Sequence, residues 1–371
     1  MSQRLPRQLH PGAWWLWALG MATAVSRTTN IITLLVFAAV VWCVVSFRRS
    51  DAPWARGFGT YLRLGLIIIA VRVVFRVLLD AQYGTTILFT LPEAHLPDAA
   101  AGVRIGGPVS LEGLLAAVYD GVRLATLLLC FGAANVLADP RRLLKTLPAA
   151  LHEIGVAMTV ALTVAPQLVE SGHRIRRARK LRGANGSRGG VIRGVMIPVL
   201  EDALDRSLVL AAAMDSRGYG RHADQTRRTR VITATLVLAG VAGVFIGTYG
   251  MLDGTTPRLL GGPMLAAGCM VAVIGVRIGG SRIRRSSYRP DPWELAEWMV
   301  MACGVGAAAA MFVASSVDPD NLYPTLQPLR WPTLGLVPAM AALIGVLPAW
   351  LAPPVDLGEA STIAREVAVA P

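Results

Sequence analysis

The chain has 371 residues, of which 54% are apolar and only 16% charged, yet Lys+Arg 36 against Asp+Glu 23 leaves a net charge of +13. Soluble domains carry about 25% charged residues, so this composition, with a mean hydropathy of +0.53, excludes an ordinary soluble enzyme and points to a membrane bundle with a polar insert. The only lysines are Lys145 and Lys180, and neither follows a glycine. A phosphate-binding P-loop needs Gly-Lys-Ser/Thr, so any nucleotide chemistry must come from another chain.

Apolar runs near the length that a spanning helix needs predict an all-α membrane protein of about eight transmembrane helices. The runs lie at 13–29, 30–47, 60–79, 110–137, 231–252, 259–279, 293–316 and 332–351. Ala13–Val25 holds three tryptophans and leads straight into the second run, so it reads as a retained span and not a signal peptide. Ser26 to Asn30 forms the turn between the first two spans. Segment 80–109 is rich in Pro, Gly and Ala and carries little identifiable chemistry. A ninth apolar run, Ile154–Val169, has Pro166 within it. Crossing there would put the basic clusters at 141–145 and 174–193 on opposite sides, so it is expected to stay cytoplasmic.

Positive charge orients the bundle. With both termini inside, cytoplasmic segments hold 27 Lys+Arg, seventeen of them in 139–230, and outer loops hold four. The expected organisation is a four-span N-terminal bundle (1–138), a cytoplasmic coupling segment (139–230), a four-span C-terminal bundle (231–352) and a cytoplasmic tail (353–371).

Within the spans, Arg72 and Arg76 lie one turn apart on the third, and Asp120 and Arg123 lie at similar depth on the fourth. A charge facing lipid at mid-membrane costs about 2.5–3.5 kcal/mol, so these four are expected to meet one another or a partner, with Arg76–Asp120 the internal pair. Three arginines against one carboxylate leave room for an outside membrane subunit. Gly243–Gly247 and the Gly304–Ala310 run read as packing surfaces.

The segment after the fourth span is the most informative. Leu168, Gly172, Ile175, Ala178 and Leu181 form one helical face, with Arg174, Arg176, Arg177, Arg179, Lys180 and Arg182 opposite. That helix is expected to stop at Gly183. A second, with Leu200, Leu204, Leu208 and Ala211 on one face, is expected to stop at Gly218. Glu201, Asp202 and Asp205 are placed in its early turns, where the helix dipole favours anions. Both ends follow one pattern of Ala, three residues, Arg, Gly: Ala178 to Arg182-Gly183, and Ala213 to Arg217-Gly218. A guanidinium at a helix tip suits a bidentate carboxylate contact, and ordinary capping also accounts for either instance.

Other chemistry finds little support. Cys43, Cys130, Cys269 and Cys303 sit singly in apolar runs, and the five histidines lack metal-site spacing. Gly186-Ser187-Arg188-Gly189 lacks the glycine two residues before serine that a nucleophile elbow needs. No aromatic residue lies in 171–194 to stack on bases, which argues against nucleic acid. The remaining alternative is an integral membrane scaffold or enzyme whose basic segment binds anionic lipid.

The block from Pro140 to Gly220 resembles the transmembrane T component of energy-coupling factor transporters, the family that includes cobalt- and nickel-type permease subunits. The resemblance is carried by Pro140-Arg-Arg-Leu-Leu, Ala161-Leu-Thr-Val-Ala-Pro166, Arg177-Ala-Arg-Lys-Leu-Arg-Gly183 and Ala211 to Gly220. It implies a subunit without catalysis or cofactor of its own, in the bacterial plasma membrane. Arg182 and Arg217 would engage two cytoplasmic ATPases, which bind ATP and Mg. Motion would pass to a separate substrate-binding S component for uptake of a vitamin or metal ion. Leu181 and Ser216 stand where that family usually carries alanine.

Overall fold

The computed structural model describes residues 9–49, 57–79, 84–95, 104–146, 152–182, 188–218, 227–252, 261–280 and 293–353. The helices in chain order are α1 (Pro11–Ser26), α2 (Ile31–Arg48), α3 (Phe58–Leu79), α4 (Leu111–Leu137), α5 (Pro140–Lys145), α6 (His152–Leu181) and α7 (Arg188–Ser216). They continue with α8 (Arg227–Leu252), α9 (Gly262–Gly280), α10 (Leu295–Val317), α11 (Pro319–Leu322), α12 (Leu336–Val346) and α13 (Pro348–Leu351). Between α3 and α4, β1 (Ile87–His95) pairs antiparallel with β2 (Arg104–Ser110). This ribbon corrects the all-helical expectation. The apolar run Ile87-Leu88-Phe89-Thr90-Leu91 carries the strand-favouring Ile87, Phe89 and Thr90 inside a segment whose average composition reads as loop.

Among the described residues, six helical stretches are long and apolar enough to cross a membrane: 31–48, 111–137, 154–181, 231–252, 262–279 and 295–317. Five of these answer to expected spans. The others differ for identifiable reasons: α1 has 16 residues, α12 has 11, and α3, although 22 residues long, carries Arg63, Arg72 and Arg76. The sixth stretch lies in α6, where the ninth apolar run and the basic helix after it are one continuous helix. Pro166 removes the amide that would bond Leu162 without ending it.

The helices group into two compact units, Met1–Leu143 with Pro290–Pro371, and Leu144–Arg289. The last four apolar helices are therefore shared between units: α8 and α9 belong to the second, α10 and α12 to the first. In the first unit Trp17, Met21, Leu34, Phe37 and Met311 are fully buried. Gly20 and Gly304 bring α1 and α10 so close that a side-chain carbon on either would strike the other helix's backbone, the close approach that small residues permit. Trp17 Nε1 donates to the Gly345 carbonyl of α12 at 3.1 Å.

Polar contacts fasten both ends of this unit. The α1–α2 turn holds the segment after α10: Thr28 Oγ1 donates to the Leu322 carbonyl at 2.9 Å, and Asn30 Nδ2 to the Asn321 and Thr333 carbonyls at 2.8 Å. At the other end buried Glu297 accepts from the His10 amide at 3.3 Å and the Glu294 amide at 3.0 Å. Arg48 at the end of α2 donates to the Ala349 and Pro353 carbonyls.

In the second unit, α8 and α9 form a tight hairpin. Gly243 lies against Gly268, Gly240 against Ala272 and Gly247 against Leu265. The small residues of Gly243–Gly247 are packing surfaces, as the sequence suggests.

Candidate functional site

Helices α6 and α7 carry the arginine-tipped motifs, and they pack antiparallel. Ser171 Oγ donates to Asp202 Oδ2 at 2.6 Å, and Arg206, one turn along α7, donates to Asp202 Oδ1 at 3.0 Å and to Gln167 of α6 at 3.3 Å. Arg174 adds an ion pair to Asp202 at 3.9 Å. Gly172 faces Val199, and the Arg179 guanidinium fills the space that a side chain at Gly194 would take. Ser171 is almost fully buried in this contact. The hydroxyl of Ser171 and the guanidinium of Arg206 hold the Asp202 carboxyl below the usual carboxylate range.

This arrangement changes the reading of Asp202. Since α7 begins at Arg188, Glu201, Asp202 and Asp205 lie more than three turns inside it, beyond the first turn where the helix dipole acts. Asp202 instead ties the two helices together. Its signal in the sequence was an acidic residue four before Arg206, with Ser171 and Gln167 one turn apart on the preceding helix. The apolar stripes behave differently from one another. Leu168, Gly172 and Ile175 of α6 are half-buried, whereas Leu200, Leu204, Leu208 and Ala211 of α7 are exposed. The α7 residues that face α6 are Val195, Val199, Asp202 and Arg206, a separate stripe at three- and four-residue spacing.

Antiparallel packing sends the two tips in opposite directions. At 1.5 Å per residue, Arg182 lies about 16 Å along α6 from Ser171, and Arg217 about 22 Å along α7 from Asp202. Both arginines are exposed, as are Ala178 and Ala213. The Arg182 amide closes the last turn of α6 on the Ala178 and Arg179 carbonyls at 3.2 and 3.1 Å. At the α7 tip the Arg217 amide bonds the Met214 carbonyl at 3.2 Å and the Gly218 amide the Asp215 carbonyl at 2.9 Å. Gly218 has φ +75°, the left-handed conformation that glycine adopts at helix ends without a Cβ penalty. Gly183 lies outside the described residues. Ser216, where alanine is usual in the resembling family, turns its hydroxyl back to the Ala213 carbonyl at 2.9 Å.

Two contacts stand out among the charges of α3 and α4. Arg72 Nη2 lies 4.0 Å from Asp120 Oδ2, with both side chains about half exposed (50% and 48%). Arg72, not Arg76, is thus the residue that meets Asp120, because α3 and α4 run antiparallel with Gly65 against Ala125 and Ile69 against Gly121. That register puts Arg72 level with Asp120 and Arg76 one turn beyond. Arg123 leaves this group and donates to the Ser26 carbonyl at the end of α1.

Comparison with known proteins decides the family. Residues 2–228 match the family described as CbiQ, cobalt transport protein. This chain belongs to the CbiQ family. The match extends well before the Pro140–Gly220 block, takes in α1 to α7, and ends where α8 begins. Three relatives are energy-coupling factor transporter transmembrane proteins, EcfT. That of Leuconostoc gelidum subsp. gasicomitatum is 27% identical over 256 residues, 60% of this chain and 86% of the relative. That of Thermanaerovibrio acidaminovorans is 34% identical over 135 residues, covering 32% and 50%. The Bacillus subtilis protein is 26% identical over 248 residues, covering 57% and 89%. As a CbiQ-family chain, the protein is a membrane component of a transporter and not an enzyme.

Proposed function

We propose that this chain couples ATP hydrolysis by two cytoplasmic ATPases to substrate uptake by a separate membrane-embedded binding subunit. The observation that carries this reading is the antiparallel α6–α7 pair with an exposed arginine at each of two opposed ends. Two tips facing away from each other suit two separate grooves, one on each ATPase, better than one shared surface. In each groove a guanidinium would meet a carboxylate bidentately. Arg182-Gly183 and Arg217-Gly218 are the docking elements, with Ala178 and Ala213 keeping the last turns slim. ATP and Mg belong to the partner ATPases, and the cargo is a vitamin or a metal ion.

The membrane arrangement follows from charge. Both termini and 139–230 are placed in the cytoplasm, in the bacterial plasma membrane, with eight crossings divided four and four around the coupling segment. Residues 154–169 stay on the cytoplasmic side in this reading, although α6 is long enough to cross, because crossing would separate the two basic clusters that the positive-inside rule keeps together. The Arg72–Asp120 pair supports a membrane partner beside α3 and α4, since a half-exposed ion pair is costly against lipid.

Purification of the tagged chain from its native membranes in mild detergent tests this reading. Two ATPase subunits per chain, retained through a 0.5 M salt wash of about the stringency that strips surface ion pairs, are the expected result. Loss of both ATPases at high salt, with anionic lipid still bound, would favour the lipid-binding scaffold instead.

A further inference from the structure

The polar knot at Ser171 and Asp202 sits where the two arginine-tipped helices meet. The α7 surface beside it is apolar and exposed, with Leu204 and Leu208 uncovered. At the contact itself one carboxylate collects a hydroxyl at 2.6 Å from α6, a guanidinium at 3.0 Å from its own helix and a second guanidinium at 3.9 Å from α6. Arg206 then returns to α6 through Gln167 at 3.3 Å. Both oxygens of Asp202 are engaged, and the bonds tie positions 167, 171 and 174 of α6 to 202 and 206 of α7. Hydrogen bonds to a charged group are about twice as strong as neutral ones, and they are directional, whereas apolar contact lets helices slide and rotate.

We infer that Asp202 is a positioning residue, the pin that fixes the crossing of α6 and α7 and so makes the two tips move as one body. A lever needs a pivot that does not slip. A small displacement of Arg182 or Arg217, each many residues from the crossing, reaches the rest of the helix pair only if the angle there is held. Asp202 touches neither ATPase in this account and acts only through the geometry of the pair. The inference rests on the proposed coupling function for its meaning, while the pinning itself is a property of this chain alone.

The experiment separates the two. With Cys43, Cys130, Cys269 and Cys303 replaced by alanine or serine, nitroxide labels at Lys180→Cys and Asp215→Cys, both at exposed positions near the tips, report the tip-to-tip distance by pulsed electron resonance on the full chain in lipid nanodiscs, and again on the ATPase-bound complex with and without ATP. The parent chain should give one narrow distribution that shifts as a whole with ATP. Asp202→Ala should broaden it by about twofold or more and abolish the concerted shift, while ATPase subunits remain bound, since losing the carboxylate that collects Ser171, Arg206 and Arg174 loosens the crossing without touching the tips. Asp202→Glu, which keeps the charge, should restore the narrow distribution. Asp202→Asn, which keeps the shape, should not, and Ser171→Ala should give an intermediate width. An unchanged distribution in Asp202→Ala, or equal rescue by Asn and Glu, overturns the inference. Absence of ATPases from the parent complex would instead count against the proposed function, leaving the nanodisc measurement to decide on Asp202.

Discussion

Trp17 of α1 donates its indole N–H to the Gly345 carbonyl of α12 at 3.1 Å, joining residues 328 positions apart. Trp17 is fully buried, and Gly304 of α10 meets its backbone directly. Helices α10 and α12, which lie beyond the family match, are thus part of the same core as α1 and α2. Val300, Ala307 and Met311 of α10 and Ala341 of α12 are fully buried against the first helices.

Substituting Gly304 tests that statement. A leucine there would drive its side chain into the α1 backbone at Trp17, and overpacking of this kind costs about 1–3 kcal/mol or more. Gly304→Leu should lower the temperature at which the detergent-solubilised chain loses its monodisperse elution peak. Gly262→Leu is the control, because nothing lies within 4 Å of the position its Cβ would take, and it should leave that temperature unchanged.

The Arg72–Asp120 pair makes a prediction about partner choice. Asp120→Arg leaves Arg72 facing a like charge, and in the proposed membrane arrangement each unpaired charge costs about 2.5–3.5 kcal/mol, so accumulation in the membrane should fall sharply. Adding Arg72→Asp should restore it, since the two groups meet at 4.0 Å. Adding Arg76→Asp instead should restore less. Equal rescue by both would contradict the register of α3 on α4.

Asp202 sets a pH dependence with a definite sign. Its carboxyl is held below the usual range, first by the Ser171 hydroxyl and then by Arg206. The contact it stabilises is therefore fully present above the carboxyl's unfolded value of about 3.9, and weakens as pH falls through the lower folded value. Hydrogen exchange at the α6–α7 contact should be flat relative to intrinsic rates from neutral pH to about 5 and rise only in stronger acid. Asp202→Asn should abolish the acid-dependent rise.

Much of this arrangement was legible in the residues, and the parts that were not have physical causes. Apolar runs located the helices because burial in lipid needs length and little else. The β-ribbon escaped because its strand-forming residues Ile87, Phe89 and Thr90 sit in a segment whose glycines and prolines dominate the average. The continuity of α6 escaped because the change from apolar to basic at Glu170–Arg174 suggests a boundary, whereas backbone hydrogen bonding ignores side-chain charge and neither Pro166 nor Gly172 stops it. The docking of α10 and α12 onto α1 escaped because chain order suggests that neighbouring spans pack together. The clue lay in pairing Gly20, Gly304 and Gly345 with one large tryptophan. At the candidate site, the exposed tip at Arg217 follows from the glycine that ends α7, and Arg182 is exposed in the last turn of α6. The Arg72 partner of Asp120 depends on a helix register that spacing alone leaves one turn uncertain.

The direct test of the central claim is retention of the ATPases by the tips. In membranes containing the whole transporter, Arg182→Ala with Arg217→Ala should lower the ATPase subunits that co-purify with the tagged chain by about a hundredfold, in keeping with the loss of two bidentate interface arginines. Each single change should give a partial loss, and the melting behaviour of the chain itself should not alter, since both side chains are exposed. Undiminished retention in the double variant would contradict the assignment of these two helix ends as the coupling site.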